Sequence, residues 1–267
     1  MSRFRTTKIS DPRFERDNLR LITVKSSHLK GRGDICVFVP PGIENSENIP
    51  VVTLLHGVYG SAWSWPLNTG VHIKVNEMIM KKELPPMVIA MPSDGLWGDG
   101  SAYLPHNGYN FEKWITEDII YALSEHIEEV SLNSPRFICG LSMGGFGALR
   151  IGAKFGRYFR GISGHSSITS LKQMKLFVEE DLANYFQENK IDEDVFSTFL
   201  EYRQHLPPVR FDCGASDQLI NYNRNLHQQL LENGIDHIYE EYPGAHEWPY
   251  WEKHVIKSLL FFAEQLN

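Results

Sequence analysis

The chain has 267 residues, with 26 Lys and Arg against 33 Asp and Glu for a formal net charge of −7, and it is 42% hydrophobic and 22% charged. That composition excludes a disordered or collagen-like chain and supplies enough apolar residues for a core without covalent staples. The acidic balance and the lack of any Lys/Arg run argue against nucleic acid or an anionic membrane as partner, and no stretch approaches the roughly 18 consecutive apolar residues of a membrane span.

The first residues are basic, with Arg3, Arg5 and Lys8, but Asp11, Arg13, Glu15 and Arg16 interrupt the apolar run that a signal peptide needs. Cys36, Cys139 and Cys213 each fall within or at the end of an apolar, strand-like run. Such a scattered, odd set reads as reduced thiols rather than a disulfide framework or a zinc site. Both features predict a cytoplasmic protein.

Two β-rich runs, 19–25 and 34–39, open the chain as a hairpin, the second stopped by Pro40-Pro41-Gly42. Val51-Val52-Thr53-Leu54-Leu55 has no alternation, which suits a strand buried on both faces of a parallel sheet. A helix is predicted over 71–82, a strand over 87–91, and a second helix over 112–130 from the spacing of Ile115, Ile119, Ala122, Leu123 and Ile127. The strand 136–139 leads into a helix over 143–155, followed by a strand over 159–164. Residues 171–205 read as helical, charged and aromatic. After them come a strand (209–213), a helix (217–233) closed by Asn233-Gly234, a strand (238–242) and a final amphipathic helix (250–265). This alternation predicts an α/β fold in one domain over 1–267. The sheet is mainly parallel with an antiparallel N-terminal hairpin, helices cover both faces, and a helical cap is inserted near 171–205.

Gly140-Leu141-Ser142-Met143-Gly144 lies between an apolar strand and a helix, the setting of a nucleophile elbow. The sharp turn presents the serine hydroxyl above the sheet, and the following N–H opens a helix, where partial positive charge favours an oxyanion. A serine needs a base, and the base needs an orienting acid. Asp217 follows the strand 209–213 and His246 follows 238–242, so both fall at carboxyl ends of strands, in the chain order Ser, Asp, His. Asp212 falls within its strand, Asp236 and His237 fall at the opposite edge, and His254 falls in the last helix. The loop His56-Gly57-Val58-Tyr59-Gly60 is expected to give a second oxyanion donor. Val58 N–H is paired with Met143 N–H in that role, with Gly57 or Tyr59 as alternatives one residue away. His56 is expected to hold that loop by hydrogen bonding.

Leu54-Leu55-His56-Gly57, Gly140-Leu141-Ser142-Met143-Gly144-Gly145-Phe146-Gly147-Ala148, Gly214-Ala215-Ser216-Asp217 and Gly244-Ala245-His246-Glu247-Trp248 together resemble the putative esterase family of α/β hydrolases. Its members include S-formylglutathione hydrolases, tributyrin-type acetylesterases, feruloyl and acetylxylan esterases and the antigen 85 mycolyltransferases. The resemblance covers roughly residues 20–265. It implies the α/β-hydrolase fold, a Ser142–Asp217–His246 triad, and no metal or organic cofactor.

Tyr59, Trp63, Trp97 and Trp248 are candidate substrate contacts, with core packing the equal alternative for Trp63 and Trp248, and packing is favoured for Trp251. His165 is either a substrate contact or a loop brace. Asp94 and Asp99, in the glycine-rich loop after residue 92, read as surface turn acids more than as ligands for a hydroxyl or amine. The expected activity is hydrolysis of a small acyl ester or thioester through an acyl-enzyme. The same residues would serve acyl transfer to a non-water acceptor, and the presence of all three groups in order disfavours a non-catalytic binding module. The expected partner is thus a small-molecule ester or thioester. Oligomeric state stays open, a homodimer included.

Overall fold

The structure, a computed structural model, describes residues 2–266; Met1 and Asn267, the two ends of the expected 1–267 domain, lie outside the described residues. The strands are β1 (Thr7–Ile9), β2 (Leu19–Ser26), β3 (Gly31–Phe38), β4 (Val51–Leu55), β5 (Val88–Pro92), β6 (Pro105–His106), β7 (Tyr109–Asn110), β8 (Arg136–Leu141), β9 (Gly161–His165), β10 (Val209–Gly214) and β11 (Ile238–Tyr242). Nine of them form one sheet in the order β1-β2-β3-β5-β4-β8-β9-β10-β11, and β6 and β7 pair apart as a small hairpin. The β1–β2, β2–β3 and β3–β5 pairs are antiparallel, and every pair from β5–β4 to β10–β11 is parallel.

Every residue of β4, β5, β9 and β10 is buried. The reason is visible in how their side chains divide. Val51 and Leu55 of β4, Val88 and Ala90 of β5 and Ile138 of β8 pack into one apolar layer. Their neighbours Val52, Leu54, Ile89, Met91, Phe137 and Cys139 pack into the other. A period of two with both faces apolar demands helices on both sides. One layer is closed by α1 (Ser64–Thr69), α2 (Val71–Met80) and the last helix, α8 (Trp248–Glu264), through Trp65, Val75, Trp251, Val255 and Phe262. The other is closed by α3 (Phe111–Lys113), α4 (Ile119–His126), α5 (Met143–Lys154), α6 (Val195–Glu201) and α7 (Ile220–Glu232). Trp65 and Trp114 are fully buried, and each such side chain contributes on the order of 2–3 kcal/mol of burial free energy.

The helix expected over 112–130 is instead α3 and α4 joined by a π-turn at Trp114–Asp118. It stops at His126, because Ile127 turns extended and is buried. The segment 171–205 is helical only in short pieces: 3₁₀ turns at Leu171–Leu176, Leu182–Tyr185, Lys190–Glu193 and Arg203–His205, plus α6. Asp181, Asn189 and Asp194 each cap a new start with their side chains, and a chain recapped every few residues cannot run as one helix. The short strands β1, β6 and β7 carry no pattern long enough to announce them in sequence.

This cap is tied to α5 by buried charges. Arg150, without exposed surface, ion-pairs with Glu112, while Lys154 reaches Asp192 in the cap at 2.9 Å and Glu112 at 3.2 Å. The cap is tied to the loop after β5 as well: Tyr185 O–H donates to Gly100 O (2.8 Å), and Glu179 N–H donates to the Asp99 carboxylate (2.7 Å).

Gly144 lets α5 press against the end of β4, where an added Cβ would fall on the carbonyl oxygens of Leu55 and His56. Backbone atoms cannot swing aside as a flexible side chain would. Gly144→Ala is therefore expected to destabilise the fold by about 1–3 kcal/mol, read as a lower urea midpoint at unchanged slope; an unchanged midpoint would contradict the close approach.

Candidate active site

β8 ends at Leu141 and α5 begins at Met143, so the whole reversal falls on Ser142, which has φ 54° and ψ −118°. A non-glycine residue with positive φ is strained. Its surroundings hold it there: Ser142 N–H donates to His165 O (3.0 Å), and Ser142 O accepts from the N–H groups of Phe146 (3.1 Å) and Ile168 (3.2 Å). Gly57 passes directly over it, close enough that a Cβ there would meet the Ser142 Cβ at 3.4 Å.

β10 delivers Asp217 and β11 delivers His246 to the same edge. His246 Nδ1 lies 2.9 Å and 3.1 Å from the two carboxylate oxygens of Asp217, and Nε2 lies 3.0 Å from Ser142 Oγ. A carboxylate only accepts hydrogen bonds, so the neutral imidazole carries its proton on Nδ1 and turns its lone pair toward the serine hydroxyl. Asp217 is 2% exposed and also accepts from Leu219 N–H at 2.8 Å. Burial pushes its carboxyl up, but the hydrogen bond and charge of His246 and the Leu219 N–H outweigh burial and hold it below its ordinary 3.8. The imidazole itself is packed between Phe177, stacked at 5.2 Å, and Trp251, edge-on at 5.0 Å.

Among the described residues neither Met143 N–H nor Val58 N–H has an acceptor, and Gly57 N–H has none either. Tyr59 N–H is committed to Asp99 O at 2.8 Å, which removes it from the alternatives. His56 is buried with both ring nitrogens used: Nδ1–H donates to Gly57 O (2.7 Å) and Nε2 accepts from Asp94 N–H (3.0 Å). It braces the loop, with both ring nitrogens committed to backbone groups.

These groups open into a cavity of about 300 Å³ whose walls include Tyr59, Trp63, Phe177, Trp248 and Trp251. Two sequence candidates are corrected. His165 has no exposed surface and faces Asp212 and Ser258 instead of the cavity. Trp97 packs edge-on against His106 and Tyr185 and is absent from the cavity wall. Asp94 and Asp99 also serve the loops. Asp94 is buried and accepts from Leu96 N–H (2.9 Å) and Ser101 N–H (2.7 Å), so it is no surface acid. Phe177 gave no signal in the sequence, because it comes from the cap and meets His246 only in three dimensions. Trp251, read as packing, both packs and lines the wall.

Among the described residues no group of three or more His, Cys, Asp or Glu is gathered as a metal site, and no helix is long and apolar enough to cross a membrane.

The family model described as Putative esterase matches residues 26–262. The acetyl esterase of Caldicellulosiruptor saccharolyticus is 29% identical over 239 residues, which is 82% of this chain and 85% of that protein. Among solved structures, a ferulic acid esterase superposes with a TM-score of 0.79 at 21% identity, covering 97% of this chain and 99% of that one. An S-formylglutathione hydrolase from Staphylococcus aureus gives 0.76 at 17% identity, covering 96% and 99%. At such identities the likeness shows the shared fold, which is the α/β-hydrolase fold.

Because the folded Asp217 is more acidic than the unfolded one, it contributes stability above its ordinary 3.8 that is lost as pH falls through its folded value. Asp217→Asn is expected to flatten the acid limb of unfolding free energy against pH. An equally steep limb in the variant would contradict the assignment.

Proposed function

The chain belongs to the putative esterase family and is a carboxylesterase-type hydrolase, and from that premise we propose that it cleaves small acyl esters or thioesters through Ser142, His246 and Asp217 by way of an acyl-enzyme. The observation that carries this reading is the continuous run Ser142 Oγ–His246–Asp217, with contacts of 3.0 Å and 2.9 Å, at the carboxyl edge of the sheet.

Ser142 Oγ attacks the carbonyl carbon as its proton passes to His246 Nε2. The imidazolium that forms is stabilised by the ionised Asp217 carboxylate beside it. The carbonyl oxygen becomes negative and is held by Met143 N–H, at the start of α5, and Val58 N–H. Collapse of the tetrahedral species breaks the bond to the alcohol or thiol, which takes the proton from His246. A water molecule then repeats the sequence on the acyl-enzyme, with His246 again as base.

A cavity of about 300 Å³ stands at the small end of ligand sites, which supports a short acyl group. The name of the acetyl esterase relative points the same way. Tyr59, Trp63 and Trp248 line the cavity and would supply flat apolar walls for the rest of the ester. We read the chain as one esterase domain. Its three free cysteines suit the reducing cytoplasm.

The test is steady-state hydrolysis of p-nitrophenyl acetate, butyrate and octanoate by the native protein and Ser142→Ala. The expected result is fastest turnover of the shortest chain and a loss of kcat of about 10⁴-fold or more in the variant. Native turnover by Ser142→Ala would overturn the reading.

A further inference from the structure

Behind Ser142, away from the cavity, a set of polar side chains is sealed in the protein. His165, Asp212 and Ser258 have no exposed surface, and Arg210 and Tyr250 have almost none. The Asp212 carboxylate accepts from three donors: His165 Nδ1–H at 2.9 Å, Arg210 Nη1 at 2.6 Å and the Tyr250 hydroxyl at 2.7 Å. Ser258 Oγ lies 2.9 Å from His165 Nε2 and 2.7 Å from Ser163 Oγ. Apolar residues of similar shape often stabilise a core as well as buried ion pairs do. Stability alone is therefore a poor reason for charges here.

Three threads run from this cluster to the active site. His165 begins the turn 165–168, whose His165 O and Ile168 N–H grip the N–H and the carbonyl of Ser142. The same turn is pinned to β10, since Ser166 N–H donates to Asp212 O at 2.7 Å, and Ser166 itself has φ 46°. Asp212 sits on β10, the strand that delivers Asp217. Tyr250 lies in the first turn of α8, four residues after His246, and its ring packs on Gly244 in the loop that carries His246. Gly244 O in turn accepts from Ser216 N–H at 2.9 Å, beside Asp217. The cluster meets the mounting of all three groups and none of their reacting atoms.

We propose that the Asp212–His165–Tyr250 cluster sets the relative placement of Ser142, Asp217 and His246, with His165 and Tyr250 as positioning residues acting through the backbone of Ser142 and the loop of His246. The inference rests on the reading of those three groups as the catalytic set.

His165 is faced by Cys139 from β8, by Asp212 and Arg210 from β10, and by Tyr250, His254 and Ser258 from α8, while Glu240 from β11 pairs with Arg210 at 2.8 Å. Burial pulls the His165 imidazole down, and the charge and hydrogen bond of Asp212 override it, raising it to about 9. For Asp212, burial pushes up and the His165 charge and hydrogen bond, with Arg210 and Tyr250, bring it to about 2. His254 is pulled down by burial to about 4, so it adds no charge at neutral pH. The pairing is at full strength below the ordinary 6.5 of histidine, while Asp212 stays ionised, and it is lost as pH rises through about 9.

The experiment measures kcat and KM from about pH 6 to about pH 10 for native protein, Tyr250→Phe and Ser142→Ala, with tryptophan fluorescence as the check on folding. Tyr250→Phe removes one donor and leaves Asp212 paired with His165 and Arg210. Its kcat is expected to fall about tenfold to a hundredfold with KM nearly unchanged. Native kcat is expected to fall near pH 9 before fluorescence changes. Native kcat in a folded Tyr250→Phe, or a native profile flat through that pH, would overturn the inference while an inactive Ser142→Ala leaves the catalytic reading standing. An active Ser142→Ala would overturn that reading, and this inference with it.

Discussion

The geometry of the site depends on one backbone residue held in a conformation it would not choose. Ser142, at φ 54°, is the whole turn between β8 and α5, and holding a non-glycine residue there costs on the order of 1–3 kcal/mol. The surrounding structure absorbs that cost. Gly140 and Gly144 let strand and helix close on each other, and the turn 165–168 bonds both sides of the serine's backbone. With the serine so fixed, its hydroxyl faces His246, and the Met143 N–H has no acceptor among the described residues.

The surrounding elements serve that arrangement at increasing distance. β10 and β11 bring Asp217 and His246 to the same edge because each parallel strand ends where its neighbour does. The cap reaches over the imidazole with Phe177, and the Arg150–Glu112–Lys154–Asp192 charges fasten the cap to the same helix that begins at Met143. Removing one member of such a buried set would strand its partners, at a cost of about 3–5 kcal/mol. α5 and the cap are therefore one mechanical unit.

Much of this was legible in residue order. An apolar run without alternation identified β4 as a strand buried on both faces, and the glycine spacing around Ser142 marked the elbow. Asp217 and His246 were singled out by position alone, each just past a strand, and the structure brings them together with Ser142, although no local pattern distinguishes His246 from the other histidines. The places where the sequence misled have separate causes. His165 also follows the active edge of a strand, but its side chain points back into the core, and which way a strand's last residue faces depends on its register with Asp212 on β10. Trp97 lies in a loop near the site, yet Tyr185 from the cap draws it away. Phe177 was invisible because contacts across more than sixty residues of chain leave no periodic trace. The cap was read as helical from its composition, but its division into short pieces was not foreseen, because the repeated caps at Asp181, Asn189 and Asp194 decide the length of each piece.

The most direct test of the account is a rapid-quench mixing of the native protein with p-nitrophenyl acetate, followed by mass mapping of the digested chain. The account predicts a burst of p-nitrophenol matched by an acetyl group on the peptide that contains Ser142, with the adduct localised to that residue. Turnover without any covalent adduct, or an acetyl group on a different side chain, would contradict it.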